Sequence, residues 1–374
     1  MRVLHCPTNV AGQAWEYAQG LRALGVEAKV LTFARHPFGY PDDVCLHLPS
    51  EPSLWRRRWK LFKNFVRVIA EYDVIHFHFG GTLLPHYLDL PLLRLLRKKM
   101  VMHYHGDDIR LESVTKKANP YYPLMGYDKD DSVTVKRAAR VARYIRTAII
   151  VNHELYDCVS PLFDRVAIVP QAIDTTHFEV AYPDPGTKTP LVVHSPSDRN
   201  IKGTRYVLEA VDCLRKRHRF EFRLLEGLPH EEVIRITREA DIVIDQVLLG
   251  VYGVFSMEAM ALGKPVLCYI REDLVNTFPP GLPIVNANPY TLATELEKLL
   301  VNPALRVELG KRGREYVERY HDCRVVARKL LEVYASLQCW RKRNVRHSRN
   351  QSAPRSPARM LAADGRGVEA SRPG

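Results

Sequence analysis

Residues Gly250–Leu267 read GVYGVFSMEAMALGKPVL, and their reading decides the fold. Gly250 and Gly253 bracket a turn in which backbone N–H groups can approach a ligand closely. The following segment, about Val254 to Leu262, is helical in pattern, so its free N-terminal N–H groups and positive dipole end face that turn. Val254, Phe255 and Ser256 are therefore candidate anion donors. Glu258, one turn in, repels an anion and suits a sugar or ribose hydroxyl better. A Gly-Lys-Pro turn then leads into an apolar strand, Val266 to Ile270. Glycine turn, helix and buried strand in this order build a nucleotide site; the bland alternative is an ordinary helix–strand unit with Glu258 on a solvated face.

Outward from this unit, strand-like and helix-like segments alternate along the chain. Arg2 to Cys6, Ala28 to Thr32, Val74 to Phe79, Lys99 to Tyr104, Thr147 to Val151 and Arg165 to Val169 read as short apolar strands, several too continuous to be half-exposed. The clearest helices between them are Gln13 to Leu24 and Ser53 to Glu71. A Pro-rich stretch, 173–190, interrupts the pattern as a linker. The alternation restarts with strands at Leu191 to His194, Glu221 to Leu225, Ile242 to Asp245 and Val266 to Ile270. Such repetition predicts an α/β fold of two doubly wound parallel sheets, with ligands at the carboxyl ends of the strands.

The chain has 374 residues, enough for two domains with their own cores, and its 46% hydrophobic and 26% charged content is that of a soluble globular protein. No apolar run is long enough to span a membrane. The N-terminus enters a strand pattern directly, without a signal-peptide pattern, and the seven scattered cysteines form no Cys-x-x-Cys pair, so a cytoplasmic protein with reduced thiols is expected. The net charge of +13 is uneven: 341–374 holds nine basic and two acidic residues, leaving 46 against 40 elsewhere. That terminal stretch reads as a basic disordered tail, and no specific nucleic-acid partner is expected.

Several constellations carry candidate chemistry. In SPSDRNIKGT, Ser195–Thr204, Arg199 and Lys202 lie in a loop and Gly203 opens a helix, a setting that holds a diphosphate between two cations and helix N–H groups. Two strands end in His-x-His, His76 with His78 and His103 with His105, each pair on one face. With Asp107 or Asp108 they make a candidate zinc site; the commoner explanation for most of the four is packing or hydrogen bonding at strand ends, and either aspartate can equally cap the next helix. The lone Asp-x-Asp, Asp128-Lys-Asp130, lies in a polar stretch and reads as a loop or helix cap. No Gly-x-Gly-x-x-Gly fingerprint occurs. The helix Ser53 to Glu71 places Trp55, Trp59, Phe62, Val66 and Ile69 on one stripe flanked by Arg56, Arg57, Lys60, Lys63 and Arg67. That pattern fits a helix packed on the sheet, the favoured reading, and also a helix lying on an anionic membrane.

The turn at 250–267, with HFHFGGTL (His76–Leu83), HGDD (His105–Asp108) and SPSDRNIKGT in that order, resembles the family-4 glycosyltransferases, retaining enzymes of the GT-B fold. The resemblance implies two Rossmann-like domains facing a cleft: residues 1–172 on the acceptor side and 191–320 for the nucleotide sugar, with a terminal helix, 321–340, packing back on the first domain. It implies a retaining, metal-independent transfer of a hexose-type sugar from a nucleotide-diphosphate donor to a saccharide or lipid-linked acceptor. The donor is then met by Lys202 and Arg199 at the diphosphate, Gly203, Gly253 and the Val254–Ser256 amides near it, and Glu258 at the ribose. The family's first glutamate falls on Gly250, which has no side chain. His105 and Asp107 face the acceptor, with His105 near its own pKa and able to help move the acceptor proton; Gly12 lets phosphate or acceptor approach. No cofactor or metal is implied, and contact with the inner face of a membrane through Trp55 to Arg67 accompanies a lipid-linked acceptor. Competing readings are a nucleotide-sugar epimerase of the same fold, a metal-dependent hydrolase on the paired His-x-His strands, and a non-catalytic binding protein.

Overall fold

The computed structural model describes residues 1–337; residues 338–374, including the basic stretch 341–374, lie outside the described residues. In the first domain the chain runs β1 (Arg2–Cys6), α1 (Gln13–Ala23), β2 (Glu27–Thr32), β3 (Val44–Cys45), α2 (Leu54–Glu71), β4 (Val74–His78), α3 (Asp89–Leu95) and β5 (Lys99–Tyr104). It continues through α4 (Glu112–Ala118), α5 (Asp131–Ala142), β6 (Thr147–Ile150), α6 (Tyr156–Val159) and β7 (Arg165–Ile168). The second domain begins with β8 (Leu191–His194), α7 (Arg199–Lys202), α8 (Thr204–Arg215), β9 (Glu221–Leu224), α9 (His230–Glu239) and β10 (Ile242–Ile244). Then follow α10 (Val254–Ala261), β11 (Val266–Cys268), α11 (Glu272–Val275), β12 (Val285–Asn286), α12 (Leu292–Val301), α13 (Pro303–Tyr320) and α14 (Cys323–Ser336).

Both sheets are parallel throughout, ordered β3-β2-β1-β4-β5-β6-β7 and β12-β11-β10-β8-β9. Chain direction across each sheet reverses at a switch point, between β1 and β4 in the first and between β8 and β10 in the second, where open α/β sheets hold their ligands. The edge strands β3 and β12 were not expected; at two residues each they carry no hydrophobic period to read.

Each sheet is covered on both faces. On the first, Leu61, Phe65 and Val68 of α2 and Leu90 and Leu93 of α3 pack beside Ile75, Phe77 and Met102. On its other face α1 and α14 share a core in which Ala14, Tyr17, Ala18 and Leu21 meet Cys323, Val326, Ala327, Leu330 and Tyr334. A side chain at Gly20 would run into the Cys323 carbonyl, so glycine there sets the approach of the two helices. The two chain crossings between domains run side by side: Cys323 N–H donates to Ile173 O at 2.9 Å and Ile173 N–H to His321 O at 2.9 Å.

The helix α2 packs on the sheet, the favoured reading, but mostly through another face: Leu61, Phe65 and Val68 enter the core with Ile69 packed against it, while Trp55, Trp59, Phe62 and Val66 of the stripe face away, with Trp55 72% and Trp59 54% exposed. The sequence stripe belongs to the outer face because a second, shorter apolar stripe serves the sheet. Asp130 caps α5, accepting from Ser132 N–H at 2.8 Å, so the Asp-x-Asp is a helix start.

Candidate active site

Between the domains lies a cavity of about 380 Å³, within the range of small-molecule sites. From the second domain it is lined by the β8–α7 loop (Ser195, Pro196, Ser197), Lys202, the β9–α9 loop (Leu225, Gly227, Leu228) and His230, and by Val254, Phe255 and Glu258 of α10. The first domain supplies Val10 and Ala11 after β1, the aromatic segment His36, Phe38 and Tyr40 after β2, and Gln171. The cavity thus sits at the switch point of the second sheet.

Asp245, immediately after β10, organises its floor. Lys202 Nζ donates to Asp245 Oδ1 at 2.6 Å, Ser256 Oγ to Oδ2 at 2.6 Å and Gly253 N–H to Oδ2 at 3.3 Å. The carboxylate is fully buried; burial alone would raise its pKa, but Lys202 and the other donors outweigh burial and hold it below the ordinary value. Asp245 therefore pins the Lys202 ammonium beside the N-terminus of α10, whose first-turn amides at Val254, Phe255 and Ser256 have no partner inside the helix.

Glu258 lines the wall, its side chain only 7% exposed, and accepts from His230 Nε2 at 2.7 Å. Burial would lower the His230 pKa, yet Glu258 more than offsets it and the net direction is upward. Tyr40 of the first domain lies against the His230 ring at 5.0 Å and over Gly12. Gly12 has φ +75° and borders the cavity only through its neighbours Val10 and Ala11. Nearby, Glu16 of α1 has one buried, unpaired carboxyl oxygen, and burial pushes its pKa up to about 7.

Arg199, expected on the diphosphate, differs: it turns outward onto Glu226 at 2.7 Å and does not line the cavity. Its segment is the short helix α7 rather than a loop, and its two cations take different carboxylate partners, Arg199 the Glu226 of the β9–α9 loop and Lys202 the buried Asp245. Gly203 ends α7 with φ +71° beneath Val247 and Leu248. Gly250 has φ +88°, and a side chain there would run into Arg271, so this backbone has no room for the glutamate of the family pattern.

His105 and Asp107 do not line the cavity. Asp107 pairs with Arg110, which also holds Glu154 at 2.8 Å, while Asp108 accepts from His105 N–H at 3.0 Å and Gly106 N–H at 2.8 Å and so shapes the turn. His105 is also not near neutrality: burial lowers its pKa to about 3, so proton transfer through a charged His105 is disfavoured.

The two His-x-His pairs do come together, and His5 of β1 joins them. Two groups of three, His5/His76/His78 and His78/His103/His105, bring one nitrogen from each ring within 4.8 Å, the spacing of a candidate metal site. Their nitrogens, however, already bond one another: His5 Nδ1 to His78 Nε2 at 2.9 Å, His78 Nδ1 to His105 Nε2 at 2.9 Å and His76 Nε2 to His103 Nδ1 at 3.1 Å. Burial keeps all five pKa values low and the rings neutral.

Sequence reasoning missed Asp245, His230, Tyr40 and Glu16. Asp245 had a signal, an acid ending an apolar strand just before a helix start; the others are brought in by tertiary contact alone.

The Glycosyltransferase Family 4 model matches residues 10–177 and the Glycosyl transferase-like model matches residues 194–332, so together they take in most of the chain. The chain belongs to these glycosyltransferases and is an enzyme of that class. Solved structures agree on the fold. Sucrose-phosphate synthase from Thermosynechococcus elongatus aligns at TM-score 0.63 and 16% identity over 90% of this chain and 99% of that one. Anabaena HepE in complex with UDP and glucose aligns at 0.60 and 14% over 90% and 100%, and WaaG, a glycosyltransferase involved in lipopolysaccharide biosynthesis, at 0.58 and 13% over 90% and 100%. No curated protein matches the chain by sequence.

Proposed function

We propose that the chain is a retaining glycosyltransferase that moves a hexose-type sugar from a nucleotide-diphosphate donor to a saccharide or lipid-linked acceptor. The observation that carries the donor assignment is the cavity wall on the second domain: Lys202 fixed by Asp245 beside the open amides of α10, with Glu258 and His230 one turn further on. The ammonium and helix N–H groups suit the diphosphate, and the Glu258 carboxylate suits the ribose hydroxyls. HepE, of the same fold, was solved with UDP and glucose, which supports a nucleotide-sugar donor.

The reaction is read as metal-independent and without cofactor, the departing diphosphate being met by Lys202 and backbone. Retention is the expectation that the family resemblance carries; Asp245 is held by Lys202 and Glu258 by His230, so this reading assigns neither of them the part of a nucleophile. The acceptor is read at the carboxyl ends of β4 and β5, where half-buried His105 keeps Nδ1 unpartnered. With its low pKa this ring orients a hydroxyl as a hydrogen-bond partner and does not store its proton. Asp107 serves the acceptor only if released by Arg110.

A lipid-linked acceptor is supported by the outer face of α2, where Trp55, Trp59, Phe62 and Val66 are exposed beside Arg56, Arg57, Lys60, Lys63 and Arg67. Among the described residues no helix is long and apolar enough to cross a membrane; the contact is read as peripheral, at the cytoplasmic face. A melting-shift screen against UDP, GDP, ADP and their sugars tests the reading. A nucleotide sugar that stabilises the protein, and is transferred with its anomeric configuration kept, is expected; no shift from any of them would sink it.

A further inference from the structure

One loop of the first domain reaches into the second. It joins α4 to α5, and its two ends are bonded to each other: Asp131 Oδ1 accepts from Glu112 N–H at 2.7 Å and Oδ2 from Ser113 N–H at 2.9 Å, while Glu112 Oε2 accepts from Lys129 N–H at 2.6 Å. The loop is thereby closed at its base. Its tip is buried in the other domain. Tyr122 and Met125, each 2% exposed, share a core with Val192, Val207, Leu248 and Leu267 of the second sheet and its connections. The Tyr121 ring meets Tyr269 edge-on at 4.9 Å.

Where this tip begins, Asn119 is fully buried and every polar group of its side chain has a partner. Nδ2 donates to Leu248 O at 2.8 Å and to Leu249 O at 3.1 Å, and Oδ1 accepts from Tyr121 N–H at 3.0 Å. A carbonyl only accepts and an N–H only donates, so these neighbours fix which way the amide faces. Among the described residues the two carbonyls have no other partner. The carbonyls on either side are held from within the second domain, Gln246 O by Tyr269 N–H at 2.8 Å and Gly250 O by Arg271 N–H at 2.9 Å. Leu248 and Leu249 lie between Asp245, which holds Lys202, and Gly253, where α10 starts. Val247 N–H donates to Lys202 O at 3.1 Å, and the Leu248 side chain lies over Gly203. Without Asn119 this turn loses its fastening at the middle, and the spacing of Lys202 from the α10 amides loosens with it.

We infer that Asn119 is a positioning residue for the donor: through this clasp the first domain holds the β10–α10 turn in the shape that sets Lys202 beside the amides of α10. The inference rests on the donor reading of the cavity wall given above. Linkage makes the effect reciprocal, so donor binding tightens the clasp by the factor by which the clasp favours the donor. No residue of 112–131 lines the cavity, and the turn is the route by which a nucleotide acts on the clasp.

The test is hydrogen exchange of the full chain with and without UDP, GDP or ADP, beside calorimetric titration of each. Bound nucleotide is expected to slow exchange at the Tyr121, Tyr122 and Leu124 amides of the clasp. Asn119→Ala should speed exchange across 246–253, weaken the nucleotide about tenfold and abolish its protection of the clasp. Leu299→Ala, on α12 in the same core, controls for lost stability: its melting temperature should fall while its nucleotide affinity holds. A folded Asn119→Ala with full affinity overturns the inference, as does a Leu299→Ala that loses as much. Should Asn119→Ala fail to fold, the wild type decides, since a clasp unprotected by bound nucleotide is equally fatal. If none of the three nucleotides binds the wild type, the donor reading fails by itself. The hold of Asn119 on the turn is then read from 246–253 in the ligand-free variant, where unchanged exchange removes it and faster exchange keeps it.

Discussion

His230 Nε2 donates to Glu258 at 2.7 Å across the wall of the interdomain cavity, so the carboxylate proposed for the ribose already has a protein partner. One carboxyl oxygen is taken by the imidazole and the other is left for hydroxyl donors. Glu258→Gln replaces two acceptor oxygens by one and loses the charge that holds His230. Nucleotide affinity is expected to fall by about 1–3 kcal/mol, read by calorimetry, with the fold intact. Undiminished affinity and turnover would place Glu258 outside the binding contacts.

Lys202 has two roles that can be separated. Lys202→Ala removes the proposed phosphate contact but also strands the buried Asp245 carboxylate, a loss of about 3–5 kcal/mol in stability for a broken buried pair. The double variant Lys202→Met with Asp245→Asn removes both charges and should recover much of that stability. It should remain weak for the nucleoside diphosphate by about 1–3 kcal/mol while binding the nucleoside nearly as before. Equal weakening toward both ligands would count against a diphosphate contact.

Glu16 gives a pH signature. Burial raises its folded-state pKa from the ordinary 4.5 to about 7. Below the ordinary value both states are protonated and its contribution to stability is fully present. As pH rises, the unfolded chain ionises first, so stability is lost progressively until the pH passes the folded value. Glu16→Gln should flatten this loss, on the order of 2–3 kcal/mol between pH 5 and about 8. Denaturant melts at both pH values check it; parallel losses in wild type and variant would remove Glu16 as their source.

The parts of this architecture that depend on local pattern were legible in the chain. Continuous apolar runs such as Val74–His78 and Thr147–Ile150 announce buried parallel strands, and alternation alone puts His76 with His78 and His103 with His105 on common faces. What pattern cannot carry is register and side-chain choice between partners. His5 joins the other histidines only because β1 pairs with β4 in one alignment, and Arg199 leaves the cavity because Glu226, 27 residues further along the chain, takes its guanidinium. The stripe on α2 is a case of two apolar faces on one helix: the sequence shows the broader aromatic face, while the sheet takes the narrower aliphatic one.

Gly20 controls how closely α1 approaches α14, since a methyl group there meets the Cys323 carbonyl and sits at 3.0 Å from Ala327 Cβ. Gly20→Ala, mild on an exposed helix, should here cost about 1–3 kcal/mol or more through forced separation of the two helices. The same change at Gly310 meets the Gly263 carbonyl and should behave alike, whereas Gly25, with open space but φ +77°, should show only a backbone effect. A melting curve for each variant decides; a neutral Gly20→Ala would mean the helices accommodate the methyl without moving apart.

The outer face of α2 allows the membrane question to be put without confusion from folding. Trp55 and Trp59 stack at 6.1 Å and Trp59 lies 6.1 Å from Phe62, forming an aromatic ledge that contributes nothing to the buried core. Replacing both tryptophans with serine should therefore leave the melting temperature nearly unchanged, where loss of a core tryptophan would cost about 3–5 kcal/mol. Binding to vesicles containing an anionic lipid should drop sharply, because the apolar insertion is gone while the basic residues remain. Changing Arg56, Arg57 and Lys60 to glutamine should weaken the same binding by about 1 kcal/mol per charge, and raised salt should mimic it. Phe65→Ala, on the opposite face, supplies the contrast: a large melting shift with vesicle binding kept in the folded fraction. Co-sedimentation beside the melting curves separates the outcomes, and wild-type protein that ignores anionic vesicles at low salt would end the membrane reading of this helix.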